Sequence, residues 1–101
     1  LLFISGQIPI NPASGEIESS DIKEQTKQSL KNIGAILEEN GISYDQVIKT
    51  TCLLADISDF AAFNEVYAQF FKSPYPARSA FAVKDIPKGA KVEIEVIAQK
   101  G

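Results

Sequence analysis

Residues Lys91 to Gln99 read KVEIEVIAQ, and the alternation in that stretch sets the architecture. Val92, Ile94, Val96 and Ala98 fall on one face of a strand, and Glu93, Glu95, Ile97 and Gln99 on the other, because successive side chains point to opposite sides of a sheet. The first face is wholly apolar and must be covered by the rest of the chain. The second mixes two carboxylates with an isoleucine, a pattern that suits neither a plain solvent face nor a plain core.

The first strand, Leu1 to Gln7, poses the same problem: Leu1, Phe3 and Ser5 share one face, Leu2 and Ile4 the other, so both faces are apolar. Its opening residues, LLFIS, read as the middle of a buried strand, and a segment preceding Leu1 is expected. In PINPASGEI, Pro9, Pro12 and Gly15 predict a loop or wide hairpin returning to a short second strand near Ile17. Asp21 with Glu24 three residues on resembles a capping box, Ile22, Thr26, Leu30, Ile33 and Leu37 form a stripe, and Gly41 follows as a stop, so a helix is predicted over 22–40. VIKTTCLLAD, from Val47, is β-branched and apolar and reads as a central strand. Ser58 or Asp59 then caps a second helix in which Phe60, Phe63, Val66, Tyr67, Phe70 and Phe71 recur at helical spacing, read chiefly as core, until Pro74 and Pro76 stop it. Arg78 to Val83 is a strand, KDIPKGA a turn, and Val92 to Gln99 the last strand.

This order predicts an α+β fold, a mixed sheet with two helices on one face. Two helices cover only one face, so the other is expected to be buried against further copies of the chain. At 101 residues the chain forms one domain over 1–101. No apolar run is long enough for a membrane span, and 45% hydrophobic with 23% charged residues is ordinary for a soluble protein. With one cysteine, Cys52, there is no intramolecular disulfide, and a cytoplasmic location is the default expectation. The absence of histidine removes the usual zinc sites and the Ser-His-Asp and Cys-His catalytic sets. A net charge of −3 and a pI near 4.9 argue against general affinity for nucleic acid.

Arg78, in SPYPARSAF, is the only arginine. It opens a strand after a proline-stiffened turn, and its planar fork suits a carboxylate; a ligand carboxylate and an internal ion pair with Glu93 or Glu95 both fit. A carboxylate at Glu93 or Glu95 on a buried face, near an arginine but not neutralised by it, could hold and polarise water. An antiparallel pairing through KDIPKGA would bring the two strands together if the register permits. Gly6 in a strand pattern hints at a close approach by a ligand or another chain, and Cys52 reads as a buried structural thiol. SGQIPINPASG lacks the pattern of a phosphate-binding loop.

LLFISGQIPINPASGEI, KTTCLLADISDFAAFNEVYAQFF, YPARSAF and IPKGAKVEIEVIA, in this order and over nearly the whole chain, resemble the Rid (YjgF/RidA) family of imine and enamine deaminases. The resemblance implies a chorismate-mutase-like subunit in a homotrimer, its sheets forming a barrel with ligand clefts between subunits. It implies hydrolysis of 2-aminoacrylate and related 2-imino acids to 2-keto acids and ammonia, with no metal or organic cofactor. In that pattern Arg78 binds the substrate carboxylate, Glu93 positions the attacking water, and Glu95 is structural. Ser5 and Gly6 line the cleft, Ala80 offers its backbone amide where relatives often carry cysteine, and Phe60 and Asn64 come from a neighbouring subunit. Relatives also carry an upstream Gly-Pro-Tyr motif that this sequence does not include. A non-catalytic sensor of small carboxylates, and more distantly a ribonuclease or translation inhibitor, are the alternatives.

Overall fold

Asp21 begins the best-marked helix: its carboxylate accepts the Glu24 N–H at 3.0 Å, satisfying one of the donors that a first turn leaves unpaired. Helix α1 runs over Ile22–Glu39 and buries Ile22, Thr26, Leu30, Ile33 and Leu37. It ends where Gly41 takes the left-handed conformation, φ 73°. The computed structural model describes residues 1–100, in which β1 (Leu2–Gln7), β2 (Val47–Leu54), α2 (Phe60–Phe70), β3 (Ala77–Ala82) and β4 (Val92–Ala98) are the other main elements.

The sheet has four strands in the order β1-β4-β2-β3; β4 is antiparallel to both neighbours, and β3 is parallel to β2. This is the expected α+β arrangement with a mixed sheet. The alternating face of β4 meets Ile4, Cys52 and Leu54 from the sheet and Leu30, Ile33, Leu37, Phe63, Val66 and Tyr67 from the helices in one core. Both helices lie on this face, joined at the surface by a Lys23–Glu65 ion pair at 2.6 Å. The opposite face is bare, leaving Phe3 69% and Phe81 48% exposed. No helix among the described residues is long and apolar enough to cross a membrane.

Three expectations are corrected. The short strand near Ile17 is only an isolated Asn11–Glu16 bridge, because the Asn11 side chain and carbonyl accept the Ala13 and Gly15 N–H groups and close the hairpin at once. β3 and β4 do not pair: the turn at Pro87–Gly89, with Lys88 at φ 60° and Gly89 at φ 67°, leads the chain past β2 so that β4 inserts between β1 and β2. Asp59, one of the two expected residues, holds the N-cap position of α2, but its side chain makes no capping bond. Asp56 accepts the Ser58 N–H at 2.9 Å, nucleating a turn of 3₁₀ helix over Ile57–Asp59 that runs into α2.

Candidate functional site

Parallel pairing places Arg78 opposite Thr50, a buried residue of the helix-covered face, so the arginine side chain points toward α2. On α2, Phe60, Asn64 and Tyr67 are four and three residues apart and share one side of the helix. The guanidinium carbon lies 4.7 Å from the Tyr67 ring centroid and 5.3 Å from that of Phe60. Arg78 Nη1 donates to Asn64 Oδ1 at 2.6 Å. Cation–π contacts are worth about 0.5–2 kcal/mol each, more as water is excluded, so two rings and an amide hold the group without neutralising it. A groove bounded by Asn64, Tyr67, Phe71, Tyr75 and Pro76 opens beside it.

Of the two alternatives that the sequence left open for Arg78, the internal ion pair with Glu93 or Glu95 does not form. Glu93 faces the bare side of β4 opposite Leu53, and Glu95 lies on the same side opposite Thr51, with the sheet between them and Arg78. The only ion pair among the described residues is Lys23–Glu65. Gly6 meets the expected close approach from within the chain: a Cβ there would overlap the Glu93 carboxylate. A register shift in β1 between Ile4 and Gln7 brings Ser5 and Gly6 to this position, with Ser5 exposed.

The candidate residues therefore form two groups. Arg78, Phe60 and Asn64 make one, at β3; Gly6 and Glu93, with Ser5 alongside, make the other, at β1 and β4. β1 and β3 are the outer strands of the sheet, so the groups sit at opposite edges as well as on opposite faces. The assignment of Phe60 and Asn64 to a neighbouring subunit is corrected with respect to Arg78, which they touch from its own chain because β2, α2 and β3 form one crossover unit. Ala80, on the same face as Arg78, lies opposite Cys52. The Val83 N–H bonds Leu54 O toward β2, and alternation along β3 leaves the Ala80 N–H on the free edge.

Tyr67 belongs to the stripe read from the sequence as core. It is buried, yet its hydroxyl bonds Thr50 Oγ1 at 2.8 Å and its ring faces Arg78. The available signal was a hydroxyl where phenylalanine would have served packing. Burial pushes the Cys52 thiol up to about 11 and Tyr67 above its ordinary value, so neither ionises near neutrality.

The endoribonuclease L-PSP family model matches residues 1–100. The human protein named 2-iminobutanoate/2-iminopropanoate deaminase is 50% identical over 100 residues, covering 99% of this chain and 73% of that protein. The crystal structure of Escherichia coli TdcF with bound serine superposes with a TM-score of 0.92 at 45% identity, covering 98% of this chain and 80% of that one. RidA from the Antarctic bacterium Psychrobacter superposes at 0.91 with 44% identity, covering 95% and 77%. Sequence motifs, sheet order and these likenesses agree, and the chain belongs to the endoribonuclease L-PSP family, the Rid (YjgF/RidA) proteins.

Proposed function

We propose that this protein hydrolyses 2-aminoacrylate and related 2-imino acids to 2-keto acids and ammonia, at a site completed by a second copy of the chain. The observation that carries the reading is Arg78: a lone guanidinium, fixed by two rings and an amide, with no carboxylate of the described residues paired to it. Support comes from the relative at 50% identity named as such a deaminase, and from the serine bound in TdcF, which is a small molecule carrying a carboxylate.

In the proposed mechanism the substrate carboxylate accepts two N–H bonds in the plane of Arg78, since Tyr67 and Phe60 occupy its faces. The Ala80 N–H at the free edge supplies a further donor. 2-Aminoacrylate first gains a proton at its methylene carbon and loses one from nitrogen to become the 2-imino acid; Glu93 then accepts a hydrogen bond from water and takes its proton as oxygen adds to the C=N carbon. The resulting carbinolamine then expels ammonia, its nitrogen gaining a proton as the C–N bond breaks, and the carbonyl forms. Orientation and mild base assistance suffice because an iminium carbon is already electrophilic.

Glu93 lies on β4, next to the outer strand β1 on the far side of the sheet from β3, so the β3 edge of one copy meets the β1 edge of the next. Such a contact joins two different surfaces, and three copies close it into a homotrimer of chorismate-mutase-like form. The bare faces, with Phe3, Phe81 and Ile97, turn inward as a barrel. For the ribonuclease alternative, the acidic chain supplies one guanidinium and no imidazole at this site.

The test couples the protein to a serine dehydratase and follows pyruvate formation from 2-aminoacrylate. Acceleration over the enzyme-free rate is expected. No acceleration by a preparation shown to be trimeric would refute the activity, and 2-keto acid binding without acceleration would establish the sensor instead.

A further inference from the structure

Beneath Arg78 lies a buried hydroxyl pair that the proposed chemistry does not use. Thr50 stands in β2 at the register position opposite Arg78, is fully buried, and shares a 2.8 Å hydrogen bond with the Tyr67 hydroxyl. The Cys52 thiol donates weakly to the same threonine oxygen at 3.9 Å. The Tyr67 ring packs against Phe63 and Phe71, at centroid distances of 5.6 and 4.7 Å. It is therefore held at its body by two rings and at its tip by a threonine.

Packing alone does not account for this arrangement. A buried hydroxyl loses its water and must be compensated by a partner, so a phenylalanine over a valine would fill the same space without that demand. The tyrosine–threonine bond adds directionality: it anchors the tip of the ring along the sheet, while Phe63 and Phe71 limit rotation about the long axis, on which the hydroxyl oxygen itself lies. That ring is the closer of the two against the guanidinium. Arg78 stands on an outer strand, flanked on one side only, where a long side chain has many rotamers to occupy.

We propose that Tyr67, its ring orientation set by Thr50, is a positioning residue that aims the plane of the Arg78 guanidinium and so sets the affinity for the substrate carboxylate. The affinity part rests on the deaminase reading; the aiming part does not. Two readouts separate them. Because Arg78 is the only arginine, its side-chain Nε–Hε group gives a single resonance in a ¹⁵N–¹H spectrum of the whole protein. A proton held over an aromatic face is shielded, so this resonance lies upfield in the wild type. Tyr67→Leu is expected to move it downfield toward the position of a free arginine, leaving only the shielding by the more distant Phe60 ring, and Tyr67→Phe and Thr50→Val, which each remove half of the hydroxyl pair, to move it a smaller part of the way.

Calorimetric titration with 2-oxobutanoate supplies the second readout. Tyr67→Leu is expected to weaken binding roughly fivefold to tenfold, the size of a lost cation–π contact, and the two conservative variants about twofold to threefold. A merely structural role would lower the melting temperature of these variants without moving the arginine resonance. An unmoved resonance in a folded Tyr67→Leu overturns the proposal. If that variant does not fold, an unmoved resonance in both Tyr67→Phe and Thr50→Val overturns it equally. A resonance that moves while 2-oxobutanoate affinity stays at the wild-type value refutes the link to affinity. Failure of the wild type to bind 2-oxobutanoate refutes the deaminase reading instead, with the resonance still deciding whether Tyr67 aims Arg78.

Discussion

The two groups of candidate residues, on opposite sides of the sheet, are built in opposite ways. At β3 the cation is built in: Arg78 is gripped by Tyr67, Phe60 and Asn64, and every group that orients it comes from its own chain. At β1 and β4 the carboxylate of Glu93 rests on bare backbone at Gly6, half-buried and without a cationic partner among the described residues, on a face that these residues leave uncovered. The first half is organised before any ligand arrives, and the second, in the proposed trimer, would be finished by assembly. In the proposed trimer that division would let a charged pair of groups serve one site without quenching each other in the isolated chain, since the sheet stands between them.

Breaking the built half should do the most damage. Arg78→Ala removes two charge-assisted bonds of about 1.5–3 kcal/mol each, and an activity loss of a hundredfold or more is expected in the dehydratase-coupled assay. Arg78→Lys should recover little of it, because an ammonium neither forks nor stacks as a guanidinium does; full activity in either variant would contradict the carboxylate-anchor role. Breaking the assembled half should separate rate from binding: Glu93→Gln is expected to lower kcat about a hundredfold while 2-oxobutanoate binds within about twofold of wild type. Gly6→Ala sharpens the same half more gently. Its methyl group would push the Glu93 carboxylate aside, so kcat should fall about tenfold with Arg78 undisturbed, and unchanged kcat would show that Glu93 tolerates displacement.

The smallest effect concerns neither half but the sheet between them. The folded protein holds the Cys52 proton to about 11, whereas an unfolded thiol releases it near pH 8.5. Between those values the native state binds more protons than the unfolded state, so this group's contribution to stability is present below about pH 8.5 and is lost as pH rises toward 11. Denaturant midpoints measured across that window should decline more steeply for the wild type than for Cys52→Ala. Equal slopes would mean that the thiol is less sheltered than its burial implies.

Much of this architecture is legible in the chain, for local reasons. The β4 alternation, the Asp21 cap and the stop at Gly41 are each written in a few adjacent residues, and each appears in the structure. Arg78 and Glu93 stand out by scarcity and by motif. What was not legible is which side of the sheet each one faces relative to the other. That depends on β3 aligning parallel to β2, with Arg78 at Thr50, a non-local pairing that no short stretch encodes. Proximity in sequence favoured a β3–β4 hairpin instead, and only the left-handed Lys88 and Gly89 turn diverts it. The same crossover carries Phe60 and Asn64 to their own Arg78, and Tyr67 was hidden because an aromatic at helical spacing looks like core whether or not its hydroxyl is engaged.

The separation of the half-sites has a genetic consequence. An allele encoding Arg78→Ala still supplies a sound Glu93 edge, and one encoding Glu93→Gln still supplies a sound Arg78 edge. In the proposed ring of three, every mixed assembly would hold one junction where the two sound edges meet, so random co-assembly should restore roughly a quarter of wild-type activity. Two inactive alleles would then complement each other within one gene, whereas a site built inside a single chain would leave the mixture as inactive as its parts.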